Sequence, residues 1–271
     1  MKTTNSLFTA FAVLLMLFSS VSVLAQMKPI PKYMTSTTLH WNSDIDMEAW
    51  KAVEKEYLEK VTKKNQYILS SSYYFHQLEP DNHVVILVNV YDSWEAIEKA
   101  AERNTELEKE GWSNEKHLKD FKKKKRSFFE RNHSDEIYSV LPFTKPLESA
   151  SKNMVCYVRT NHMVFPEDGD LKEVKELLDE NVDKLVNQTN LIKGYYTYRH
   201  AWGADGSEMK EAFFLDSMDD LEKMQQGYDD LFNKAWPQGH LRKKHMALKD
   251  KYFSKTREDA IYEFIAELSK Y

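Results

Sequence analysis

Val84-Val85-Ile86-Leu87-Val88-Asn89-Val90-Tyr91-Asp92-Ser93 is the stretch on which the fold turns. It is a strand-length run that ends in a helix cap. Val84, Ile86, Val88 and Val90 face one way, and Val85, Leu87 and Tyr91 face the other. Ser93 is placed to accept a hydrogen bond from the first free backbone amides of a following helix. The same junction returns 124 residues later, where Leu215-Asp216-Ser217 follows Ala212-Phe213-Phe214. Further along, Glu98-Lys99 returns as Glu222-Lys223, Trp112 as Trp236, Phe129 as Phe253, Asp135 as Asp259 and Ile137-Tyr138 as Ile261-Tyr262. Earlier in the chain, Tyr74 and His76 return as Tyr198 and His200 at the same interval. One register held across Trp, His and Tyr matches marks a tandem duplication, so the fold problem is one unit and the reason for joining two.

The first copy reads as a strand over 33–41 and a helix over 47–63, with Trp50, Val53 and Val61 on one face. Strands over 67–77 and 83–91 follow, with Pro80-Asp81-Asn82 as their hairpin turn. Helices over 93–110 and 114–131 and a last strand over 136–141 complete it. In the second copy the expected strands are 153–163, 191–200, 208–215 and 259–266, and the helices 170–187, 217–233 and 239–254. The order is β-α-β-β-α-β with one extra helix. Such a unit makes a four-stranded antiparallel sheet with its helices on one face. These strands have side chains worth burying on both faces, so the bare face needs cover. Placing the two sheets face to face with edges joined supplies it, closes a barrel and removes exposed edges. The expected class is therefore α+β: a tandem duplication packed as a single-chain α/β barrel. The expected divisions are a leader at 1–25, a first copy at 26–142, a short linker at 143–152 and a second copy at 153–271.

This element order and duplication resemble the dimeric α/β-barrel superfamily, a ferredoxin-like group, in a fused form. The group includes antibiotic-biosynthesis monooxygenase-like, EthD-like, NIPSNAP-like and stress-responsive barrel proteins. The resemblance spans most of residues 30–268 and rests on no catalytic motif. It implies a cavity, either between sheet and helices or within the barrel, for a small, partly apolar molecule. It implies no particular reaction, because members include cofactor-free oxygenases, haem enzymes and proteins without known activity.

Composition sets outer bounds. Lys2, the apolar run from Leu7 to Leu17 and Val23-Leu24-Ala25 read as a secretory signal peptide cut before Gln26. The expected location is therefore secreted or periplasmic, with no stable membrane insertion after cleavage. The whole chain carries a net charge of −5, which gives no reason to expect nucleic acid as a partner. Cys156 is the one cysteine, so no intrachain disulfide forms, and its apolar neighbours mark it as a buried side chain. The basic run from Lys122 to Arg126 reads as a solvated helix face.

The repeated polar aromatics are the candidates for chemistry. Tyr74 with His76 and Tyr198 with His200 each share a strand face and form possible acid–base pairs. His40 and His162 recur near the end of each first strand as ligand-binding candidates. Trp112 and Trp236 are placed either to roof a pocket or to anchor the extra helix. The plainer alternative for every histidine is a half-buried residue bonded to backbone or water. No metal motif occurs. Haem stays open through a single histidine, without the covalent Cys-x-x-Cys-His motif. The expected function is binding of a small, partly apolar ligand by a monomer. An oxygenase-like or isomerase-like enzyme, a haem-binding barrel and a structural or stress-associated assembly protein remain alternatives.

Overall fold

A computed structural model describes residues 30–42, 45–78, 83–148 and 150–271. The expected leader and the Pro80-Asp81-Asn82 turn lie outside the described residues. The first copy consists of β1 (Tyr33–Trp41), α1 (Met47–Lys60), β2 (Ser70–Leu78), β3 (Val84–Tyr91), α2 (Trp94–Gly111), α3 (Glu115–Arg126) and β4 (Phe129–Val140). The second consists of β5 (Met154–Met163), α4 (Leu171–Lys184), β6 (Gly194–Trp202), β7 (Glu208–Leu215), α5 (Met218–Ala235), α6 (His240–Tyr252) and β8 (Phe253–Phe264). Five elements of the first copy (α1, β2, β3, α2 and β4) recur with both ends displaced by 124 residues.

Local chemistry sets the helix starts. The Ser93 hydroxyl accepts from the Ala96 amide at 3.1 Å, and Ser217 accepts from Asp220 at 3.2 Å. Asp46, Asn114 and Asp170 cap α1, α3 and α4 in the same way. Each cap satisfies a backbone donor that the helix itself leaves free.

The strands form one closed antiparallel barrel in the order β1-β3-β2-β8-β5-β7-β6-β4, with β4 returning to β1. Within each copy the order is that of a ferredoxin-like sheet. The two seams, β2 with β8 and β4 with β6, join one copy to the other. They are related by the repeat: Tyr74 faces Phe264 across one, and Val140 faces Tyr198 across the other. Alternate residues point inward, where Cys156, Phe214 and Phe264 are buried among Tyr74, Tyr196 and Tyr198. The outer faces carry the helices. Trp50, Val53 and Leu107 cover Tyr73 and Val85 in the first copy. Leu178, Val182 and Leu221 cover Tyr157, Met209 and Phe213 in the second.

The last strands begin earlier than the sequence suggests. β4 starts at Phe129, not near 136, and β8 at Phe253, not near 259. The intervening residues Glu130 to Glu136 are mostly exposed and charged, so they show no apolar alternation. Their place in the ladder comes from backbone pairing with β1. Phe129, expected on a helix, stacks on Trp41 at 4.9 Å.

Candidate functional site

Between the outer sheet face of the second copy and α4, α5 and α6 lies a cavity of about 490 Å³. That is a usual size for a small-molecule site. Its helix side mixes apolar Leu177, Leu178, Met224 and Leu231 with polar Asn181, Gln225 and Tyr228. Its floor carries alternate residues of β5 and β7, namely Tyr157, Arg159 and Asn161, and Met209, Glu211 and Phe213. A hollow near Leu39, Asn42 and His133 is larger, about 780 Å³, but none of its lining residues is buried.

The floor holds a connected polar group. The Glu211 carboxylate is buried and accepts from the Tyr195 hydroxyl at 2.6 Å and from Asn161 Nδ2 at 2.8 Å. Arg159 lies 3.7 Å from Glu211 and 3.8 Å from Asp259, and its Nε is buried without a hydrogen-bond partner. Asp259 also accepts from the Tyr157 hydroxyl and from Arg257. Burial works against the Arg159 charge, but Glu211 and Tyr157 outweigh it and hold the guanidinium protonated. Burial, reinforced by Glu211, pushes the Tyr195 hydroxyl well above its usual pKa. Burial also raises Tyr228 and lowers His245, so both are held neutral near pH 7. Lys249 stands at the rim of the cavity.

The matching place in the first copy is occupied by the protein itself. Glu54, which aligns with Leu178, turns into it and is buried. Its carboxylate accepts from the Tyr73 hydroxyl at 2.8 Å and pairs with Lys125, which aligns with Lys249. Two smaller spaces remain beside the pair, of about 200 Å³ and about 310 Å³, and Tyr73, Leu87 and Lys125 line both.

The sequence candidates lie elsewhere. Tyr74 and Tyr198 point into the barrel, where burial raises both hydroxyls well above their usual pKa. His76 is half-buried opposite Tyr262 in the first seam. In the second seam, His200 Nε2 lies 3.1 Å from the Glu136 carboxylate, with its ring edge-on to Tyr138. His162 Nδ1 is bonded to the Ser207 hydroxyl at 3.0 Å and lies 3.2 Å from Asp205. His40 pairs with Val84 at the end of β1. Trp112 rests on Phe121, with ring centres 4.3 Å apart. Trp236 is buried and donates to Glu180 at 3.2 Å. None of these eight residues is among those lining the cavity. Arg159, Tyr195, Glu211 and Lys249 do line it and were not singled out from the sequence. The signal for Arg159, Tyr195 and Glu211 was polar residues at helix-facing strand positions where the two copies differ, whereas Lys249 lies on α6 and repeats Lys125.

Haem iron can be held by a single histidine, and its carboxylates suit nearby cations. His245 is the histidine that lines the cavity. Its ring stacks on Trp236 at 3.7 Å, and its buried Nδ1 has no hydrogen-bond partner, the nearest carboxylate being Glu180 at 3.8 Å. With Arg159, Lys249 and Arg257 also lining the space, the residues present meet the minimum that haem demands.

No family model matches the chain, and no curated protein matches it. Solved structures do. A Fusobacterium nucleatum protein, a monooxygenase by designation only, is 13% identical with a TM-score of 0.54, covering 88% of this chain and 94% of its own. An anthrone oxidase-like protein is 13% identical with a TM-score of 0.49, covering 90% and 95%. A mutant chlorite dismutase from Candidatus Nitrospira defluvii is 12% identical with a TM-score of 0.47, covering 88% and 93%. At such identity the Fusobacterium likeness speaks to fold alone, and the fold is a ferredoxin-like tandem α/β barrel.

Proposed function

We propose that this protein binds a small, partly apolar molecule in the cavity of its second copy. The observation that carries the reading is the contrast between the copies. In the first, the Glu54–Lys125 pair stands between sheet and helices with two smaller spaces beside it, while the second has one larger cavity over a buried polar floor. The test is native mass spectrometry of protein purified from its own compartment, beside a Met224→Trp variant that fills the cavity. The wild type should retain an adduct that the variant loses, with thermal unfolding little changed. An adduct retained equally by both would place the ligand elsewhere and refute the proposal.

A second reading makes haem the occupant and the protein an oxidative enzyme, in keeping with the oxygenase-like and haem-binding alternatives. The specific support is His245, the one histidine among the residues that line the cavity. His245 would hold the iron, with Glu180 near its Nδ1, and Lys249 and Arg257 would be available to the haem carboxylates. Bound haem would supply redox chemistry at that place. A haem titration decides it. A sharp Soret band in the wild type that His245→Ala abolishes would support this reading, and an unchanged free-haem spectrum would exclude it.

We infer a monomeric state as well, because both seams are closed within one chain. Light scattering giving twice the chain mass would contradict it. The leader at 1–25 and a secreted or periplasmic location belong to the same proposal. N-terminal sequencing that starts at Gln26 would support them. Among the described residues, no helix is long and apolar enough to cross a membrane.

A further inference from the structure

The two copies place equivalent lysines in different company. Lys125 is paired with the buried Glu54 carboxylate. Lys249, 124 residues later, has no acidic partner within 4 Å among the described residues, because Leu178 stands where Glu54 stood. The cationic side chain is common to both copies, and the internal carboxylate is present in the first alone. A cavity opens at the place that carboxylate would occupy.

Charge at the site leads to the same conclusion. Arg159, Lys249 and Arg257 line the cavity. Two carboxylates answer them, Glu211 toward Arg159 and Asp259 toward Arg257. One positive charge is left over, and it belongs to Lys249. The residue as a whole is exposed at the rim, yet its amine is partly desolvated. That partial burial, together with Arg159, holds its pKa below the ordinary lysine value. An ammonium in this position gains from an anion that fills the space in front of it. The rest of the cavity limits what that anion is attached to. Leu177, Leu178, Met209 and Phe213 form an apolar wall, and about 490 Å³ accommodates a small organic body.

We propose that the occupant of the second cavity is a small organic carboxylate, and that Lys249 seats its carboxyl group as Lys125 seats Glu54. The inference rests on the ligand-binding reading above and adds the class of ligand. The Glu54 side chain is the internal model for the bound group. A single negative charge matches the one uncompensated cation, which selects monoacids with an aliphatic or aromatic body over dianions and over cations.

Calorimetric titration of the full chain at low salt tests this with two matched pairs of probes. Octanoate is set against octan-1-ol, and 1-naphthoate against 1-naphthalenemethanol. Each acid should bind at least about tenfold more tightly than its alcohol, the worth of one charge-assisted contact. Lys249→Met should weaken the acids about tenfold and leave the alcohols within about twofold. Leu178→Glu, which writes the carboxylate of the first copy into the second, should expel the acids while Lys249 is intact. Lys249→Met alters a rim residue, so it remains informative if Leu178→Glu does not fold. Alcohols binding as well as acids, with Lys249→Met silent, would overturn the carboxylate seat and leave ligand binding standing. No binding by any of the four probes would overturn both.

Discussion

The Glu54–Lys125 pair makes a prediction about what removing each partner costs. Glu54 has 2% of its side chain exposed, while Lys125 has 24%. Lys125→Met leaves a buried carboxylate with one remaining donor, the Tyr73 hydroxyl. Stranding a buried charge costs about 3–5 kcal/mol, and the partial exposure of Lys125 places the expected loss near about 3 kcal/mol. For a chain of this size that is a fall of about 6–12 °C in Tm. Glu54→Leu reproduces the second copy and strands no charge, because Lys125 can turn toward solvent. Its cost is the Tyr73 hydroxyl left without an acceptor, about 1–2 kcal/mol. Glu54→Leu combined with Tyr73→Phe removes both ends of that bond and should recover most of the loss. Urea unfolding followed by circular dichroism ranks the three. The expected order of destabilisation is Lys125→Met, then Glu54→Leu, then the double variant. Glu54→Leu costing more than Lys125→Met would show that the pair contributes net attraction, and the reasoning from stranded charge would be wrong.

Other expectations follow from packing and protonation. Trp50 is fully buried at the centre of the first helix-facing core, so Trp50→Ala should cost about 3–5 kcal/mol. Trp50→Phe should cost far less, since the indole N–H has no partner to lose; equal losses would contradict this. Gly203 has a φ of +140°, and a Cβ there would strike the Glu136 carboxylate that accepts from the Ala204 amide. Gly203→Ala should therefore destabilise by about 1–3 kcal/mol and speed amide exchange along the β4–β6 seam, with β5–β7 unaffected. Burial raises Tyr73, Tyr74 and Tyr195 well above the tyrosine pKa, so they stay neutral in the fold where the unfolded chain ionises. Above about pH 10 the unfolded state holds fewer protons, and stability should fall as pH rises. Absorbance at 295 nm should show these tyrosines ionising only with unfolding; all 15 tyrosines titrating together near pH 10 in the folded protein would refute that.

The sequence discloses the architecture well and the site poorly, and the cause is the same. A repeat is found through identities, and identities such as Asp92 with Asp216 or Tyr138 with Tyr262 sit where both copies need the same packing. The cavity sits where they differ: Leu178 against Glu54, Glu211 against Leu87, Arg159 against Thr37. Tyr74 and His76 drew attention because they repeat, and they repeat as parts of a seam. The early start of β4 was hidden for another reason. Glu130 to Glu136 carry no hydrophobic signal, and their order comes from pairing with β1, which a local reading does not contain. Strand alternation puts Tyr73 and Tyr74 on opposite faces, and the structure turns Tyr73 toward the helices and Tyr74 toward the barrel interior.

Both seams of the barrel run between the copies, and the chain supplies both sides of each. A barrel made from two identical subunits carries every substitution twice, related by its two-fold axis. A residue that opened a cavity on one side would open it on the other, and the loss of packing would be doubled. Covalent joining lifts that constraint. One half can hold an interior ion pair while the other is free to keep a larger cavity in the same place. If the proposed binding holds, the asymmetry between Glu54 and Leu178 is what such a release would leave behind: a scaffold half and a working half within one closed sheet.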